Sequence, residues 1–248
     1  MLKAQKALEG DALVTTVLFY DKYELLHDRI DIKAVAPLTG KDYTVRGSTA
    51  LLDAVGRTID KIRNAQEHTA ADYRAEKVLF VIITDWMENA SREYSAKWVK
   101  GRIERQRQKY GWEFVFLGAN MDAVAEAGKL GIDADRAQSY QSDAYGTGLA
   151  WGSASKATSA IRTGAALDGW SDMIGNVSSR ESAISESDDS DGVLNSENAA
   201  EALENVKAAL KGIGETTGEL IDMMKAVEAN DGKPVDVNEI LRNVLEGK

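Results

Sequence analysis

The 248-residue chain has no cysteine and only two histidines, His27 and His68. That excludes disulfides and thiolate metal centres, and it leaves too few ligands for an ordinary zinc site. A cysteine-free composition fits a reducing compartment, so a cytoplasmic location is expected. No run of 18 apolar residues occurs, which leaves no candidate membrane span and no membrane partner. Met1-Leu-Lys-Ala-Gln-Lys6 lacks the apolar stretch of a secretory signal. The Gly-x-Gly-x-x-Gly spacing of a dinucleotide loop is missing, and Gly118-Ala-Asn120 matches it only superficially. Neither histidine has a nucleophile near it in sequence, so no hydrolase triad is predicted. The chain is expected not to be an enzyme.

The charge is unevenly placed. Residues 1–180 carry 24 of the 40 acidic and 24 of the 30 basic side chains; residues 181–248 carry the other 16 and 6. The net charge of −10 therefore comes from the last quarter of the chain. Two regions of different physics are implied. Nucleic acid is disfavoured as the main partner, because phosphate binding needs a basic footprint.

What is present is an alternation of strand and helix patterns. Residues 1–9 read as helical turns ending at Gly10. Ala12 to Tyr20 is β-branched and apolar, and Tyr23 to Ile30 reads as its hairpin partner. Pro37 to Ser48 is a loop, and Leu51, Leu52, Val55, Ile59 and Ile62 carry helical spacing over 49–64. Lys77 to Asp85 holds seven consecutive apolar or β-branched positions and suits a strand buried on both faces of a parallel sheet. A basic helix (95–110), a strand (112–118), a short helix (121–130), a brief strand (138–140) and an Ala/Gly/Ser-rich helix (145–170) follow. The expected fold is α/β, a doubly wound, mostly parallel sheet with an antiparallel edge strand. The expected domains are 1–176, an acidic serine-rich linker over 177–198, and a helical tail over 199–248.

Ligands bind open α/β sheets at the carboxyl ends of strands, where Thr84 and Asp85 fall. Gly47-Ser-Thr-Ala-Leu-Leu-Asp-Ala54, Val81-Ile-Ile-Thr-Asp85, Glu88-Asn-Ala-Ser-Arg-Glu93 and Trp112 to Asn120 occur in that order. With these segments the first 140 residues or so resemble the von Willebrand factor A domain family, especially bacterial and phage-encoded members. The resemblance implies a metal-ion-dependent adhesion site, in which Thr49 matches the second element and Asp85 the third, with Ser48 beside them. Such a site would take Mg²⁺ through hydroxyl, carboxylate and water oxygens.

The family's first element, an Asp-x-Ser-x-Ser loop after a first central strand, occurs nowhere in the chain. Tyr20 stands where an acidic residue is common, and Trp86 where glycine follows the aspartate. The site is therefore expected to be incomplete. The absent strand would leave two apolar strands about 4.8 Å short of a neighbour on one side. Direct pairing of 12–20 with 77–84, a strand donated by another chain, and a start upstream of Met1 are the three outcomes this allows.

Other residues have plainer readings. Without a metal, Ser48 or Thr49 caps the helix that follows, Asp53 supports its first turn, and Asp85 is a cap or solvated loop residue. Lys97 to Lys109 is basic and able to touch anionic partners, although packing of Trp98, Val99, Ile103 and the arginine stems on the sheet also explains it. His27 reads as structural or exposed, and His68 as a loop residue. Ser187 to Asn198 resembles a calcium-binding EF-hand loop that has lost its first and twelfth ligands, and Asn230 to Asp236 is more degenerate still. The sequence thus predicts a protein–protein interaction module with another protein as partner, oligomeric through strand donation or the helical tail. The alternative is a Mg²⁺-dependent ligand binder whose missing strand and loop are supplied upstream or by a partner chain.

Overall fold

Each strongly patterned segment adopts the element its side chains favour. The computed structural model describes residues 1–39, 48–85 and 87–175, all within one unit, Met1–Ser178. A short helix α1 (Leu2–Lys6) leads into a hairpin of β1 (Leu13–Phe19) and β2 (Tyr23–Asp31). Helix α2 (Leu51–His68), strand β3 (Leu79–Thr84), helix α3 (Ala96–Tyr110) and strand β4 (Glu113–Ala119) follow. Helix α4 (Ala123–Lys129), strand β5 (Ala137–Tyr140) and helix α5 (Ala144–Thr163) complete the order. No described helix is long and apolar enough to cross a membrane.

The architecture is mixed α/β, with a three-stranded parallel sheet in the order β3-β4-β5, flanked by helices, and a separate antiparallel pair β1-β2. The single sheet expected from the sequence is thus divided in two among the described residues. Direct pairing of β1 with β3 is not what the chain does. Alternation along β4 splits the core. Phe114 and Phe116 pack with Leu52, Val55, Ile59, Val99 and Ile103 of α2 and α3, while Val115, Leu117 and Ala119 pack with Ala150, Ala154 and Ala157 of α5. The small residues of α5 bring its backbone close to the sheet.

Helix ends follow their local chemistry. Ser95 accepts from Trp98 N at 3.3 Å to start α3, and Gly111 at φ +64 ends it. Asp122 and Asp143 start α4 and α5 in the same way. α2 runs past the expected 64, because Arg63 pairs with Glu67 at 2.6 Å and Thr69 closes on Ala65 O. His68 therefore sits on the last turn of α2, bonded to Asn64 O, and His27 on β2 beside the Thr16 hydroxyl.

α1 is too short to stand alone. Gln5 buries its amide against Ser155 and Ser159 of α5, and the Arg162 guanidinium donates to the carbonyls of Gln5, Leu8, Glu9 and Gly10. On its other side Lys6 donates to Lys33 O and Val35 O beyond the hairpin. The N-terminal segment thereby joins the two halves of the fold.

Candidate functional site

Leu51 and Leu52 turn into the core, so α2 must begin where its first N–H groups meet the loop that follows β3. Its N-cap is Ala50, which offers no side-chain bond; neither Ser48 nor Thr49 caps the helix. A residue from the next loop supplies the acceptor instead. Glu88 Oε2 accepts from Leu52 N at 2.9 Å and from the Ser91 hydroxyl, while Oε1 accepts from Ala90 N and Ser91 N. Asn89 Oδ1 accepts from Thr49 N, and Thr49 O receives Asn89 N and Ala90 N. Ser91 Oγ accepts from Asp53 N.

Asp53 works in the opposite direction. From the first turn of α2 its carboxylate accepts the backbone N–H groups of Arg92, Glu93 and Tyr94, each at 2.9 Å. Burial raises the Asp53 carboxyl, but those N–H groups and the Arg57 charge outweigh it, so the group titrates below its ordinary value. Arg57 in turn bonds Glu93 and lies 5.7 Å over the Tyr23 ring. Thr49–Asp53 and Glu88–Tyr94 are thus a reciprocal clamp between a helix start and a loop.

Tyr94, the last residue of the clamp, lies flat on Gly56: a Cβ there would meet its ring carbons at 2.5–2.9 Å. The ring is held by Trp98 at 4.5 Å between centroids and by a 3.4 Å bond to Asp60. Gly56→Ala should therefore destabilise the protein by about 1–2 kcal/mol in urea unfolding, although alanine favours a helix by about 1 kcal/mol. A stabilised variant would show that the ring moves freely.

Each metal-site residue suggested by the sequence has a definite place. Thr49 is 4 % exposed, with its backbone N–H and C=O both spent on the clamp. Ser48 is half-buried beside it, and Asp85 is exposed at the carboxyl end of β3. Tyr20 anchors α2 through its carbonyl, which accepts from Ala50 N at 2.6 Å. Trp86, the 187–198 and 230–236 loops and the helices predicted after 198 lie outside the described residues. Two hydroxyls and one exposed carboxylate are fewer than the six or more oxygens that a hard cation takes. The nearby carboxylates of Glu88 and Asp53 are already committed to backbone N–H groups. Gly118-Ala-Asn120 ends β4: Asn120, at φ +52, accepts from Ser142 N and donates its own N–H to Tyr140 O.

The opposite edge of the sheet carries a different feature. Val78 O accepts from Glu113 N at 2.9 Å, which aims the N–H and C=O groups of Phe80 and Ile82 at β4. Those of Leu79, Val81 and Ile83 point to the other side, where β3 has no strand neighbour among the described residues. Burial follows the same division. β4, paired on both sides, is buried from Phe114 to Ala119, whereas Leu79, Phe80, Val81 and Ile83 of β3 are only half-buried. Among the described residues β1 also pairs on one side only, and Leu13 is 61 % exposed. The sequence pattern could not disclose this, because a run such as 77–84 reads alike with one neighbour or two. Comparisons with protein-family models, with curated proteins and with solved structures found no match for this chain.

Proposed function

We propose that the chain is a non-enzymatic protein-interaction module of von Willebrand A type, with an incomplete adhesion site, that binds its partner by accepting an extended strand along β3. The observation that carries this reading is the outward row of Leu79, Val81 and Ile83 backbone groups on an apolar strand left half-buried. Buried strands pair on both sides, and a row of N–H and C=O groups with no strand neighbour among the described residues selects an extended backbone as its complement. The partner strand is apolar and β-branched, since the side chains beside it are Leu, Phe, Val and Ile.

Residue-resolved amide hydrogen exchange with light scattering tests it. In the monomer, Leu79, Val81 and Ile83 amides should exchange at least 100-fold faster than those of Phe80 and Ile82. Equal protection in a stable monomer would mean that the edge is already filled, and the reading fails. Titration of the chain with Mg²⁺ and Mn²⁺ should give no saturable heat in the micromolar range. Micromolar binding would overturn the incomplete site and favour a metal-dependent ligand binder.

A further inference from the structure

Helix α3 packs Val99, Ile103 and Gln106 inward, and its remaining face is basic. Two of its cations are neutralised: Arg107 bonds Asp133 and Gly131 O, and Lys100 lies 4.0 Å from Glu104. Lys97, Arg102, Arg105 and Lys109 have no carboxylate partner among the described residues. At about 100° per residue these four fall within one arc of the helix, spread over about 18 Å of its length. Both arginines and Lys97 line a shallow groove of about 600 Å³ with Ser95, Trp98 and Gly101.

Two features prepare the groove for an anion. The Arg102 guanidinium stacks 4.7 Å over the Trp98 ring, which itself rests edge-on against Tyr94, so its fork is oriented before any ligand arrives. Just outside the groove, Lys109 lies 5.1 Å over the Tyr110 ring. Gly101 forms the floor. Glycine in a helix interior costs about 1 kcal/mol against alanine. No packing requires it here: a Cβ would meet nothing within 4 Å, and its φ is not positive.

We infer that the outer face of α3 is a docking surface for an acidic polypeptide segment of a partner protein, with Arg102 and Arg105 as the carboxylate-binding residues. Charge complementarity selects the occupant, and guanidinium forks match carboxylates two bonds at a time. Single-stranded nucleic acid is disfavoured, because Arg102 and Lys109 already cover the rings that bases would stack on. This surface is independent of the β3 edge.

Fluorescence anisotropy of the full chain with a labelled eight-residue poly-Glu peptide provides the test. Poly-Gln of equal length, a 20-nucleotide single-stranded DNA and phosphatidylserine vesicles serve as competing probes. Poly-Glu should bind, weaken as salt rises, and lose at least tenfold in affinity in R102Q/R105Q, with no change in R63Q. Gly101→Leu should block binding while the helix remains folded, as read by circular dichroism. Undetectable poly-Glu binding, equal binding by R102Q/R105Q, or tighter binding of DNA or vesicles than of poly-Glu would each overturn the inference.

Discussion

Replacing Asp53 with alanine should cost about 3 kcal/mol or more of folding stability, well beyond an ordinary surface substitution. The carboxylate holds three backbone N–H groups at once, and bonds to a charged acceptor contribute about 1.5–3 kcal/mol each without simple additivity. Its loss leaves the amides of Arg92, Glu93 and Tyr94 without their acceptor, so hydrogen exchange at those three should accelerate together. Asp53→Asn separates charge from shape. Because the native carboxyl titrates below its ordinary value of 3.8, the charge contributes fully above that value and is lost as pH falls through the folded pKa. The gap between native protein and D53N, read from urea midpoints, should therefore be constant from pH 7 to pH 5 and shrink below about pH 4. A gap that persists unchanged at pH 2.5 would show that the stabilisation does not come from the carboxylate charge.

Phe114→Ala should be comparably severe, at about 3–5 kcal/mol, whereas Phe80→Ala should cost distinctly less. The two rings stack 4.9 Å apart across adjacent strands, so their chemistry is matched and only their surroundings differ. Phe114 is 1 % exposed on a strand paired on both sides, while Phe80 lies on β3, which has one strand neighbour among the described residues, and remains partly in water. If a partner strand fills that edge, the Phe80 penalty should rise toward that of Phe114 in the complex. Equal penalties in the isolated monomer would contradict an open edge.

The elements were legible wherever the side chains alone decide them. The β-branched run before Tyr20, the spacing of Leu52, Val55 and Ile59, and the stop at Gly111 all act within a few residues. The division into two sheets was not legible, since pairing depends on what lies beside β1 and β3 rather than on what they contain. Thr49–Asp53 and Glu88–Tyr94 meet in space, a contact that the sequence pattern does not announce. Their purpose was hidden because Glu88 and Asp53 bind backbone amides, which every sequence possesses. A carboxylate followed by Asn and Ser, all able to accept from main-chain N–H groups, was the available signal. Reading Ser48 or Thr49 as the helix cap failed for the same reason, because the acceptor comes from a residue 36 positions further on.

The Arg162 clasp has a consequence for biogenesis. On the ribosome the first ten residues emerge long before the guanidinium that gathers their carbonyls, and a five-residue helix has no means of persisting in the interval. Docking of the N-terminal segment on α5 must therefore wait until translation has passed residue 162, after every strand of both sheets has been made. Until then the apolar hairpin and the parallel strands are nascent surfaces for chaperones to shield.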